Sequence, residues 1–201
     1  MNRILALLAA TLPVLAACPA YAGWKAAERI ETYEVRGATG FELYESIGRN
    51  GPKVGRDGND IRTIAYTTFD LKWSRDYRPQ PDGSCKLVTA RPHLAIITML
   101  PKAAGKLSPE LRARWETFVA GIRAHERYHA GTIVDMVKAI EAYSVGLTVP
   151  EDPKCQKIRK VLTKRLGELS QEQRARGRAF DRVEMGPGGT VQRLVLELIE
   201  D

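Results

Sequence analysis

Histidine and cysteine are both scarce in this chain, three of each among 201 residues. With so few imidazoles, a pair of them within five positions is not a by-product of abundance. Neither Cys85 nor Cys155 belongs to a CxxC-like pair, which argues against a thiolate metal site. The apolar run from Ile4 to Ala17 is too short for a membrane-spanning helix, which needs roughly 20 residues. No internal repeat and no low-complexity tract occurs. The chain is basic, with a formal charge of +7, and the excess gathers between Lys154 and Arg182. Phe180 is the one aromatic residue in that stretch, too few for interleaved stacking platforms, so it reads as a solvated helix face and not as a specific nucleic-acid surface.

What is present begins at the amino terminus. Met1-Asn2-Arg3 and the apolar run behind it form an export signal. Ala20-Tyr21-Ala22 is a small-x-small processing site, and cleavage after Ala22 would release one domain covering residues 23–201 into the periplasm or medium. The alternative is Leu15-Ala16-Ala17-Cys18, which has the form of a lipobox. Lipidation of Cys18 would tether the same domain to a membrane. Either choice leaves Cys85 and Cys155 as an even pair in an exported protein, so a disulfide between them is expected.

The most informative segment is His125-Glu126-Arg127-Tyr128-His129. On a helix, residues i and i+4 lie about 6 Å apart on one face, so both imidazoles can reach one cation. The intervening glutamate can then act as general base toward the attacking water, which is the arrangement of a zinc hydrolase. Ser108-Pro109-Glu110 supplies an N-cap, a proline for the first turn and an acid near the helix dipole. From there Trp115, Phe118, Ile122, His125, His129, Ile133, Met136, Ile140 and Tyr143 recur at steps of three and four. The histidines therefore lie in a core-facing stripe, where a metal would satisfy both at once.

Upstream, the pattern has mostly period two. Tyr33 and Val35 alternate in a first strand, and Thr39-Gly40-Phe41-Glu42 matches a capping box that opens a short helix. Gly48 to Gly58 reads as a loop and Ile61 to Trp73 as a half-buried strand. Two more strands are expected at Cys85–Ala90 and Leu94–Leu100, with Pro101 breaking into a loop. Downstream, Lys154 to about Phe180 reads as a second long helix, and Val191 to Ile199 is apolar but of undetermined type. The expected fold is α+β: a small, mostly antiparallel N-terminal sheet with one short helix, packed on two long C-terminal helices of which the first carries the HExxH motif.

A Tyr-containing first strand and helix, a strand ending in Trp73, lone Cys85, Leu100-Pro101, Trp115 ahead of the motif, lone Cys155 and Phe180-Asp181 together resemble the bacterial domain-of-unknown-function 922 family. That family is described as predicted exported zinc-dependent proteases. The resemblance runs from about Glu28 to Met185. It implies a zincin-like fold in which an edge strand, here expected at Leu94–Leu100, runs over the motif helix and pairs with an extended peptide. The family pattern continues with Thr-x-His-Gly after the aromatic-Asp pair; here Arg182-Val183-Glu184-Met185-Gly186 carries no histidine.

A catalytic zinc takes three protein ligands, so the motif needs one more. Asp181, at the end of the returning helix, is the first choice, and Asp135 is second. Glu184, Glu172 and His93 remain alternatives, whereas Glu141 lies about 18 Å along a continuous helix from His129 and is excluded. The expected function is an exported zinc metallopeptidase with Glu126 as general base, His125, His129 and Asp181 as Zn2+ ligands, and a peptide or protein substrate, including those of the cell envelope. The alternative function is a catalytically inactive zincin-like binding module of the envelope. A metal-free structural domain with buried histidines is the third reading. Tyr128 and Tyr143 are candidates for stabilising an oxyanion, though packing alone accounts for both.

Overall fold

A computed structural model describes residues 23–55 and 61–200. The export signal, both processing sites and Cys18 lie outside the described residues, as does part of the Gly48–Gly58 segment. The chain runs through β1 (Ala27–Val35), α1 (Gly40–Asn50), a two-residue pair β2 (Lys53–Val54) and β3 (Ile61–Arg62), β4 (Tyr66–Pro79), β5 (Cys85–Ala103), α2 (Pro109–Ser144), β6 (Thr148–Val149), α3 (Lys157–Glu184) and α4 (Thr190–Ile199). The architecture is α+β, a mixed sheet with four helices.

Helix starts follow local chemistry. Thr39 Oγ1 accepts the N–H of Glu42, while the Glu42 carboxylate reaches back to the N–H of Ala38, one residue beyond the usual box partner. Ser108 Oγ accepts the N–H of Leu111 with Pro109 in the first turn, as the sequence predicts for α2. Helix α3 has no side-chain bond from its own N-cap position. Its first free N–H groups are taken by buried Asp152, which accepts from Gln156 at 2.7 Å and Ile158 at 2.8 Å. The Cys85–Cys155 disulfide is present and joins the start of β5 to the residues just before α3.

The sheet is mixed: β1 runs parallel to β5, while β4 and β6 run antiparallel to it, so most of its pairings are antiparallel as expected. It departs from expectation in two ways. The two strands expected at Cys85–Ala90 and Leu94–Leu100 are one 19-residue strand, β5, which passes through Pro92 and Pro101. Each proline falls where one neighbour is missing: Pro92 precedes the first β1 partner, Ala95, and Pro101 follows the last β4 partner, Met99. A residue with no N–H to donate is tolerated at such places. Finally, the order β1-β5-β4 puts Leu94–Leu100 at the centre of the sheet and not at an edge; the edges are β1 and β4.

Helix α2 packs under this sheet. Leu94 and Ile96 of β5 meet Ile133, Met136, Val137 and Ile140 of α2, with Leu169 of α3 closing the cluster. Toward the start of α2, Trp115, Phe118 and Ile122 pack with Val35, Leu43 and Leu100. The segment of undetermined type is helix α4, whose Val191 and Leu198 complete that second cluster. Trp24 Nε1 donates to Glu141 at 2.7 Å and straps the first described residues to the far end of α2.

Candidate metal centre

His125 and His129 project from one face of α2 with Nε2 atoms 3.1 Å apart. Helix α3 comes back along that face in steps of four. Gln173 Nε2 donates to Thr132 Oγ1 at 2.9 Å, Gly177 lies against His129, and Asp181 reaches both imidazoles. A side chain at Gly177 would place its Cβ 3.4 Å from His129 Nδ1, so the glycine keeps the ring uncrowded at the helix contact.

Asp181 Oδ1 lies 2.9 Å from His129 Nε2 and 3.3 Å from His125 Nε2. Three donor atoms thus form a triangle with edges of 2.9–3.3 Å. Tetrahedral zinc with bonds of about 2.0–2.1 Å separates neighbouring ligand atoms by about 3.3 Å. The triangle fits one face of that tetrahedron, which leaves the fourth corner for water or substrate. Despite its closeness to both rings, Asp181 Oδ1 is buried without a well-directed hydrogen bond, and His125 Nδ1 is likewise unpartnered. Neutral imidazoles can share one proton between their Nε2 atoms, but a cation would satisfy all three converging atoms together. Burial, and then the neighbouring His129, push the His125 pKa below its ordinary value against the opposing pull of Asp181 and Glu184. The shift favours the neutral form that a metal requires.

Glu126 occupies the adjoining side of the same turn and is 5% exposed. Its Oε2 accepts a 2.6 Å hydrogen bond from Thr67 Oγ1 at the start of β4. Burial pushes its pKa above the ordinary carboxylate value; the Thr67 hydrogen bond and His129 oppose this, and Asp181 adds to it. The carboxylate also borders a cleft of about 390 Å³ between β1 and α2, flanked by Arg123 and Arg127.

The profile of the family described as "Bacterial protein of unknown function (DUF922)" matches residues 30–189, most of the chain. The chain belongs to the DUF922 family. The DUF922 match runs from within β1 to the residue before α4, and so takes in the motif, Asp181 and Glu184. Neither the curated proteins nor the solved structures contain a match to the chain.

Among the described residues of this DUF922 chain, His125, His129 and Asp181 form the one cluster of three potential ligand atoms. Glu184 is close by, with its carboxylate 3.9 Å from His125 Nδ1. The other candidates lie elsewhere. Asp135 faces Arg176 on the exposed side of the helix pair, and Glu172 pairs with Arg165, since Gln173 and Gly177 take the inward positions of α3. His93 bonds Ser74 and lines a cavity of about 900 Å³ at the Glu141 end of α2, away from the motif. Tyr128 stacks on Phe180 at 3.8 Å, and Tyr143 packs against the cluster around the disulfide.

Two members of the site are not evident in sequence reasoning. Thr67 shares the inward parity of Phe69, Leu71 and Trp73, and a hydroxyl on that apolar face was the available signal. Phe180 stacks on His125 at 4.9 Å and 25°, and its position before Asp181 is the only local hint. No helix among the described residues is long and apolar enough to cross a membrane.

Proposed function

We propose that this chain is an exported zinc-dependent metallopeptidase with Glu126 as general base. The observation that carries the reading is the triangle of His125 Nε2, His129 Nε2 and Asp181 Oδ1, beside a buried carboxylate on the same helical turn. Those three atoms would hold the ion. A zinc ion bound there supplies Lewis-acid polarisation of a carbonyl and acidifies water. Glu126 takes the proton of the attacking water and passes it to the leaving amine, and a raised pKa suits that exchange near neutrality. Thr67 orients the carboxylate.

The substrate is an extended peptide or protein segment. Among the described residues β4 pairs with β5 alone, so its other edge offers unpaired backbone groups beginning above the motif turn. An extended chain adds to such an edge as a further strand. A missing third ligand would favour the inactive-module alternative; the position of Asp181 beside both imidazoles supports the hydrolase reading instead.

The test is the metal content of residues 23–201, purified without a polyhistidine tag, followed by cleavage of a quenched fluorescent peptide library. The expected result is one zinc per chain in wild type and Glu126→Gln, none in His129→Ala, and cleavage by wild type alone. Zinc without cleavage of any peptide would favour the binding module. No zinc after reconstitution would leave a buried histidine pair in a structural domain.

A further inference from the structure

We infer that Glu184 is a positioning residue of the metal centre: its carboxylate accepts the Nδ1 proton of His125 and thereby fixes the tautomer that turns Nε2 toward His129 and Asp181. The inference rests on the metal-centre reading above and extends it to a residue outside the ligand set. A neutral imidazole has one N–H and one lone pair. Nε2 of His125 faces the converging atoms, at 3.1 Å from His129 Nε2 and 3.3 Å from Asp181 Oδ1. To ligate, that nitrogen must present its lone pair, so the proton belongs on Nδ1.

Nδ1 is buried and has no hydrogen-bond partner. The Phe180 ring, stacked on His125, offers no acceptor. The Glu184 Oε2 atom is 3.9 Å away, and its side chain is only 18% exposed. This is too long for a hydrogen bond, but Glu184 is the last residue of α3, where the chain leaves the helix. A hydrogen bond there needs the carboxylate only about 1 Å closer. Asp181 and Glu184, three residues apart on one face of α3, then serve opposite sides of one ring. A carboxylate on the remote nitrogen of a ligating histidine fixes its orientation and raises its basicity.

The experiment compares wild type, Glu184→Ala and Glu184→Gln by zinc affinity in chelator competition, the visible spectrum of the cobalt-substituted protein, and the 15N shifts of His125. The expected result is a 10–100-fold weaker zinc affinity in Glu184→Ala, with recovery to within a few-fold in Glu184→Gln, which keeps an acceptor oxygen. The cobalt spectrum stays unchanged in both variants, and the wild-type shifts show a protonated Nδ1. Equal affinity in wild type and Glu184→Ala overturns the assignment alone. An altered cobalt spectrum also overturns it, by making Glu184 a ligand. A wild-type protein that takes up no zinc overturns the metal-centre reading itself, and this inference with it.

Discussion

The hydroxyl of Thr67 donates to the carboxylate of Glu126 across 2.6 Å, joining the first residues of β4 to the motif turn of α2. The bond spans two elements and comes from the only side-chain donor to this nearly buried acid among the described residues. It fixes where the proposed general base sits relative to the strand beside which a substrate would lie.

Thr67→Val keeps the shape of the side chain and removes the donor. A hydrogen bond to a charged group is worth about 1.5–3 kcal/mol, so kcat/KM should fall about tenfold or more while zinc content stays at the wild-type level. Peptide cleavage beside metal analysis checks both halves. Equal loss of zinc would place Thr67 in the assembly of the metal site instead.

Zinc should stabilise the fold by clamping α2 to α3. At a free concentration 100 times the dissociation constant, binding contributes about 2.7 kcal/mol, which corresponds to a Tm rise of about 5–10 °C for a domain of this size. Chelation should reverse the rise in wild type, and Asp181→Ala should show neither change. Differential scanning fluorimetry with and without zinc is sufficient.

Much of this was legible from local rules. The Thr39 capping box, the Ser108-Pro109 start of α2, the Cys85–Cys155 pair and the approach of Asp181 to the two histidines all depend on spacing along one element or on a simple helical hairpin. The misread parts depend on pairing between distant segments. Pro101 resembles a strand breaker until β1 is seen beside it and β4 is seen to have ended. Leu94–Leu100 reads equally well as an edge or a centre, because alternation reports which faces are buried and not which neighbours are present. The short α4 has too few turns to declare its period in isolation.

Loss of the disulfide should cost about 2–4 kcal/mol, measured as a lower denaturation midpoint for the Cys85→Ser/Cys155→Ser protein. The bridge lies at the opposite end of α3 from Asp181. Zinc affinity under native conditions should therefore change little.

Gly40 packs where α1 crosses α4, and a Cβ there would collide with the backbone carbonyl oxygen of Leu198. Backbone cannot swing aside as a side chain can. Gly40→Ala should destabilise by about 1–3 kcal/mol or more, seen as a lower Tm with zinc stoichiometry preserved. An unchanged Tm would contradict the close approach of the two helices.

Asp152 gives the fold a particular sensitivity to acid. Burial tends to raise its pKa, but the N–H groups of Ile158, Lys157 and Gln156 and the charge of Lys157 outweigh this and hold the carboxyl below its ordinary value. A carboxyl with a lowered pKa in the folded state contributes stability above the unfolded value of about 3.9, and loses it as pH falls through the folded value. Asp152→Asn should therefore be less stable than wild type near neutrality, with the difference shrinking below about pH 4. Urea midpoints measured across that range check the sign.

The three converging atoms of the proposed metal site come from two helices that meet only after the chain has turned through β6 and entered α3. Before α3 has folded back, the chain would offer a metal just the two imidazoles of the motif turn, one protein ligand short of the three that a catalytic zinc takes. Under the proposed export, the ion is chosen where α3 folds back, so the metal supply of that compartment, and not of the place of synthesis, decides what fills the site.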